Sequence, residues 1–236
     1  ISTEQAATVV ISITNTSYTQ TLTIPANTVN ASILIPKTGI NHARKLADGL
    51  QNRNIHIESD VPVAVYAHVY STQVSGATML MPVETNGFSY YSINYYQTTS
   101  QSSPDGWYSW FYVIASEDNT TVEITPSAAN KNGKAVGVPF NVQLNKGQVY
   151  SVFGTTTGNA GTDLTGSKIR SVNVGAGGCK RIAVFSGSGK MSIGVSTAGG
   201  TGTAGGSADN IFAQAFPSNA WGRRYLTSPP GSQPHN

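Results

Sequence analysis

An all-β fold, organised as two tandem, internally repeated β-sandwich-like units, is what this sequence of 236 residues predicts. Three observations carry that expectation. Apolar residues alternate with polar ones at period two, turn residues interrupt the alternation at short intervals, and blocks of the first half recur in the second half in the same order.

The alternation fixes the element type. Val9, Ile11 and Ile13 alternate with Val10 and Ser12, Val63 and Val65 alternate with Ala64 and Tyr66, and Val122 and Ile124 flank Glu123. Successive side chains of a strand point to opposite faces, so such runs set one apolar face against a core. Between the runs stand Ile24-Pro25-Ala26-Asn27, Asn86-Gly87, Lys131-Asn132-Gly133 and Lys146-Gly147, residues that supply the backbone angles of tight turns. One segment allows another element: Ala43, Leu46 and Ala47 share helical spacing between His42 and Leu50, which permits a short helix or 3₁₀ turn there.

The recurrence sets the organisation. Thr8-Val9-Val10-Ile11 returns as Thr121-Val122-Glu123-Ile124, and Leu22-Thr23-Ile24 followed by Val29 returns as Val142-Gln143-Leu144 followed by Val149. Ile55 matches Ile169, Val63-Ala64-Val65-Tyr66 matches Ile182-Ala183-Val184-Phe185, and Pro82, Gly87 and Tyr90 match Pro217, Gly222 and Tyr225. The unit is about 110 to 120 residues long. A longer final interval is taken up by the Gly/Ser/Thr/Ala stretch from Gly194 to Ser207, which reads as an inserted loop; no helix pattern follows it, so it is no phosphate cradle. The expected division is residues 1–106 for the first β unit, 107–227 for the second, and 228–236 for a Pro/Gly/Ser linker, whose prolines lack the donors of a central strand.

Composition narrows the function classes. Charged residues make up 11 %, against roughly 25 % in an average soluble domain. The net charge of +3 comes from 14 Lys and Arg against 11 Asp and Glu, spread thinly, so neither a nucleic-acid footprint nor an anionic membrane surface is indicated. No apolar run reaches the roughly 20 residues of a membrane helix, and no membrane insertion is expected. Cys179 is the single cysteine, which rules out an internal disulfide framework and reads as a small buried hydrophobe or a bystander. The opening Ile1-Ser2-Thr3-Glu4-Gln5 has no signal-peptide pattern, so the expectation is a chain that begins inside a longer precursor.

Catalytic constellations do not assemble. Glu117 with Asp118, or Glu58 with Asp60, are the carboxylate pairs to weigh, but Glu117-Asp118-Asn119 leads into a strand, where Asp and Asn commonly satisfy turn amides. Gly187-Ser188-Gly189 lacks the full nucleophile elbow. His42, His56, His68 and His235 are far apart in sequence, with no helical pair for zinc. Calcium on Asp118, Asp163 or Asp209 has no loop pattern behind it. The expectation is a non-enzyme without cofactor or metal.

One local feature has a binding rationale. Tyr90, Tyr91, Tyr95, Tyr96, Trp107, Tyr108, Trp110, Phe111 and Tyr112 crowd one segment, and on alternating strands some must face outward if others face inward. Trp107, Tyr96, Tyr95 and Trp110 are the candidate ligand contacts, because exposed aromatic faces stack on sugar rings or anchor protein partners. Filling the junction between the two units is the competing role for the same rings.

Several blocks resemble the N-terminal domain of IgG-Fc-binding protein. Asp60-Val61-Pro62-Val63-Ala64-Val65-Tyr66-Ala67, Met81-Pro82-Val83, and Ala115-Ser116-Glu117-Asp118-Asn119-Thr120-Thr121-Val122-Glu123-Ile124 carry the likeness. So do Leu144-Asn145-Lys146-Gly147-Gln148-Val149-Tyr150, Asp163-Leu164-Thr165-Gly166-Ser167, Ile182-Ala183-Val184-Phe185-Ser186-Gly187 and Trp221-Gly222-Arg223-Arg224-Tyr225. The resemblance implies secretion or a cell-surface location, repeat architecture, neighbouring domains in a longer chain, and an adhesive or ligand-binding role toward an extracellular glycan or protein. It brings no catalytic residues. Many members carry cysteines and a histidine where this chain has Ser188-Gly189-Lys190-Met191, and the cysteine-poor character is that of bacterial members. The alternatives kept beside a binding module are a structural spacer repeat and a carbohydrate-binding accessory module of a carbohydrate-active enzyme.

Overall fold

The structure, a computed structural model, describes residues 1–31, 33–45, 47–70, 75–95, 107–157, 160–175, 177–191 and 209–226. Tyr96, the loop between Gly194 and Ser207, His235 and the 228–236 linker lie outside the described residues.

In chain order the strands are β1 (Ser2–Thr3), β2 (Ala7–Ile13), β3 (Thr19–Ile24), β4 (Thr28–Val29), β5 (Gly49–Gln51), β6 (Ile55–Ser59), β7 (Val65–Tyr70) and β8 (Ser75–Leu80). A 3₁₀ turn at Val83–Thr85 then leads to β9 (Ser89–Tyr91). The second half holds β10 (Ser109–Ala115), β11 (Thr120–Thr125), β12 (Phe140–Leu144), β13 (Val149–Phe153), β14 (Thr156–Thr157), β15 (Ala160–Gly161), β16 (Lys168–Val172), β17 (Ile182–Met191) and β18 (Asp209–Gln214), followed by a 3₁₀ turn at Ser218–Ala220. The fold is all-β, with no α-helix among the described residues. The helical turn allowed near His42 does not form in the described part of that segment. Gly49 takes φ +91°, outside any right-handed helix, and Leu50 and Gln51 pair with Tyr150 and Val149 instead.

Two sheets enclose the main core. One has the order β18-β17-β10-β13-β5 and the other β12-β11-β16-β9. The alternation read from the sequence sorts their side chains: Phe111, Val113 and Ala115 of β10 point into the core with Val152, Ile182 and Val184, and meet Val122, Ile124, Leu144, Ile169 and Tyr90. Each of the Val, Leu, Ile and Phe side chains among them contributes about 1.5–3 kcal/mol by leaving water.

A smaller core lies under the sheet β3-β2-β6, where Ala7, Val9, Ile11 and Ile24 are buried. This sheet and part of the second sandwich share an order and a register. Val9 stands opposite Leu22 and Ser59, and Ile11 opposite Ile57; Val122 stands opposite Val142 and Ser171, and Ile124 opposite Ile169. The residue placed like Ile169 is therefore Ile57, two positions past the Ile55 that the sequence pattern aligns with it.

Strands from before residue 106 enter the second half's sheets. β5 extends the five-stranded sheet through β13, and β9 closes the four-stranded sheet through β16. The β7-β8 hairpin leans on β18 through side chains. Ser75 N–H donates to Asp209 Oδ1 (2.7 Å), Met81 N–H to Gln214 Oε1 (2.8 Å) and Gln214 N–H to Thr78 Oγ1 (3.1 Å). Gly76 lies against this strand: a Cβ there would lie 2.1 Å from Asn210 Oδ1, so the Asn210 side chain would have to move.

Candidate ligand-contact surface

β10 carries aromatics on alternate positions, and the face turned away from the core gathers them. The Trp110 and Tyr112 rings stack at 5.2 Å, Tyr112 stacks on Phe185 at 5.2 Å, and Phe185 stacks on Phe212 at 6.0 Å. Trp110 also meets Phe212 at 6.1 Å. Cross-strand and diagonal aromatic pairs of this kind contribute on the order of 1 kcal/mol beyond area burial. Gly187 keeps this surface flat: a Cβ there would sit 1.9 Å from the Ile211 carbonyl oxygen and 2.9 Å from the Trp110 ring. Beside the stack, Tyr108 lies on Phe153 at 5.5 Å and under the Lys131 ammonium at 4.1 Å, with Lys131 Nζ donating to the Tyr108 hydroxyl (2.9 Å).

Residues 92–95 are fastened to the end of this sheet by buried hydroxyls. Ile93 N–H donates to Ser186 Oγ (3.1 Å) and Tyr95 N–H to Ser188 Oγ (2.8 Å), while the Ser188 hydroxyl donates back to the Tyr95 carbonyl. Asn94 Nδ2 bridges the carbonyls of Trp110 (2.7 Å) and Gly187 (2.6 Å). The Ser92 hydroxyl donates to the Leu164 carbonyl (2.6 Å), and Ser109 Oγ accepts from Leu164 N–H (3.1 Å). Net stabilisation is about 1 kcal/mol per bond, but the cost of orphaning any of them is larger, so the lattice holds this end rigid.

Three of the four candidate contacts thus meet at one place. Trp110 is half-buried within the aromatic stack; Trp107 is half-buried, near Lys190, with Gly189 beneath it; Tyr95 is half-buried and pinned to Ser188. Tyr96 lies outside the described residues. Sequence reasoning missed Phe185 and Phe212, which complete the stack from two other strands, and Ser186, Ser188 and Asn94, which position it.

Four of the carboxylates weighed for catalysis or for calcium accept from backbone amides. Asp118 Oδ1 accepts from Lys146 N–H (3.0 Å), Asp60 Oδ1 from Thr8 N–H (2.7 Å), Asp163 Oδ1 from Thr165 N–H (2.9 Å), and Asp209 Oδ1 from Ser75 N–H. Among the described residues no three His, Cys, Asp or Glu converge on a metal position. His56 faces Glu58 at 3.6 Å, and Cys179 is exposed rather than a small core residue. Two ionisable groups with displaced affinities lie near β5. Burial raises Asp48 to about 6 against its bond from Phe153 N–H (2.6 Å), and burial, then Arg53, lowers Lys45 to about 8.

A model of the IgGFc binding protein family matches residues 76–236, more than half of the chain, from within β8 onward. That span contains the aromatic stack and the hydroxyl lattice; the Asp60 to Ala67 block lies ahead of it. Comparison with curated proteins and with solved structures returns no match. On the strength of the family match, the chain belongs to the IgGFc binding protein family.

Proposed function

We propose that the chain is a non-catalytic, extracellular ligand-binding module that engages a protein partner through the aromatic end of the five-stranded sheet. The family match is the observation that carries this reading, since it covers all of the strands that build that surface. Half-buried Trp and Tyr rings on a rigid scaffold are the usual anchors of protein recognition: they offer large contact area with little rotamer entropy to lose. A tandem architecture, with the β3-β2-β6 sheet as a diverged copy of β12-β11-β16, belongs to the same proposal and is supported by their common order and register. An adhesive role at a cell surface is the finer form of this function.

The test is binding of the purified chain to immobilised immunoglobulin Fc and, in parallel, to a glycan array, with Trp107→Ala and Trp110→Ala as variants. Loss of about 1–3 kcal/mol of binding to a protein ligand with melting unchanged is expected for an anchor. A large fall in melting temperature with binding intact would assign the rings to packing and move the site elsewhere.

A further inference from the structure

An open cavity of about 510 Å³ lies where the turn after β2 meets the segment that carries β5, inside the roughly 300–1,000 Å³ of small-ligand sites. Its walls include Asn15, His42, Arg44, Gln51, Asn52 and Arg53, and among the described residues no Asp or Glu. The walls are fastened before any ligand arrives. Asn15 stands at φ +56° and its Nδ2 donates to the Asn52 carbonyl (3.0 Å), while Gln148 Nε2, just ahead of β13, donates to Asn52 Oδ1 (2.7 Å). Arg53 Nη1 donates to the His42 carbonyl (3.2 Å), and Gln51 Nε2 to the Ala47 carbonyl (2.5 Å).

These bonds consume acceptors and leave donors. Arg44 N–H donates to His42 Nδ1 (3.2 Å), which puts the ring hydrogen of the neutral imidazole on Nε2, and Lys45 Nζ takes the Arg53 carbonyl. Among the described residues His42 Nε2, Asn52 Nδ2 and the remaining N–H groups of Arg53 meet no acceptor. Charge is equally one-sided. Two guanidiniums line the cavity, and the Lys45 ammonium beside Arg53 is held down to about 8, by burial and then by that arginine. Asp48, the nearest carboxylate along the chain, turns its Oδ1 to Phe153 N–H instead. Asn15 Oδ1 and Gln51 Oε1, which accept from no described residue, are left for hydroxyl donors.

We propose that this cavity is a second ligand site, which takes a sugar bearing a sulfate or carboxylate group, the repeating chemistry of an acidic glycan. Arg44 and Arg53 hold the anionic oxygens, with His42 Nε2 and Asn52 Nδ2 as further donors, and the Asn15 and Gln51 oxygens accept sugar hydroxyls. Bonds from a guanidinium to an anionic oxygen are about twice as strong as neutral ones, and arginine sheds its water more readily than lysine does. A bare inorganic anion satisfies the first set of groups and leaves the second idle, which is why the ligand is a sugar rather than an ion. All six residues precede the span matched by the family model, so the site does not rest on the protein-binding reading of the aromatic surface.

Isothermal titration calorimetry of the whole chain tests it at about 0.1 M salt, with four probes: a sulfated dextran oligosaccharide, an oligogalacturonate, unmodified dextran and inorganic sulfate. At least one of the two anionic sugars should bind about tenfold or more tighter than dextran or free sulfate, and the better of the two identifies the anionic group. Arg53→Gln should weaken that binding about tenfold. Asn52→Asp keeps an oxygen for Gln148 but sets a carboxylate where the ligand's anion belongs, so it should abolish binding while the melting temperature moves by no more than about 2 °C. Arg224→Gln removes a charge beyond β18, the edge strand opposite β5 in the five-stranded sheet, and should change nothing. Four results would each overturn the proposal: neither anionic sugar binds, free sulfate binds as well as both, Asn52→Asp binds like the wild type, or Arg224→Gln costs as much as Arg53→Gln.

Discussion

The sheets β3-β2-β6 and β12-β11-β16 share strand order and cross-strand register, and their residues differ mainly in what covers the third strand. β16 is closed by β9 and the Tyr90 side chain, whereas among the described strands β6 pairs with β2 alone. Ile169 is fully buried and Ile57 half-buried although both face an isoleucine on the central strand. Alternation therefore lays out a ladder, while burial depends on a short element brought from elsewhere in the chain. The same comparison holds for the two Gly-x-x-Tyr turns: Tyr90 after Gly87 is inside a core, and Tyr225 after Gly222 is in water.

The largest expected effect separates those two tyrosines. Tyr90→Ala should destabilise the chain by about 3–5 kcal/mol, because it empties a core position and orphans the Ile182 carbonyl, to which the Tyr90 hydroxyl donates, whereas Tyr225→Ala should stay within about 0.5 kcal/mol. Urea denaturation measures both, and equal costs would erase the distinction between the buried and the exposed turn.

A smaller contrast concerns the two glycines. A Cβ at Gly87 would lie 2.4 Å from Pro217 Cβ, in a rigid ring that cannot swing aside, while one at Gly222 meets nothing closer than the Tyr225 ring at 3.4 Å. Gly87→Ala should cost about 1–3 kcal/mol and Gly222→Ala less than about 0.5 kcal/mol, read from the same denaturation curves. A costly Gly222→Ala would mean that its element is already covered.

The smallest effect sharpens how the first half is stitched to the second. Burial raises Asp48 from 3.8 to about 6, so between these values the folded chain holds a proton that the unfolded chain releases. Its stabilising contribution is complete below pH 4 and is lost as pH rises through about 6. Asp48→Asn keeps an oxygen for Phe153 N–H and should flatten melting temperature across that window. Because the carboxylate is only partly covered, the gain at pH 7 should be on the order of 1 kcal/mol. A wild-type melting temperature that rises between pH 4 and 6, and does so equally in the variant, would show that Asp48 carries no such penalty.

The sequence by itself determined the strand character, since period two is visible in Val9-Val10-Ile11 and Val122-Glu123-Ile124 without any partner. It also marked the Pro-to-Tyr turns and the aromatic segment, because local composition suffices for both. The helical spacing around Ala43 misled for the same local reason: a glycine at positive φ and pairing with β13 outweighed it. Only the tertiary structure decided which tyrosine is buried, that Phe185 and Phe212 join Trp110 and Tyr112 in one stack, and that Asn94 reaches the Gly187 carbonyl 93 residues away. Such pairs are set by strand register and by which edge a passing segment closes. These are properties of contacts distant in sequence, and no local periodicity encodes them.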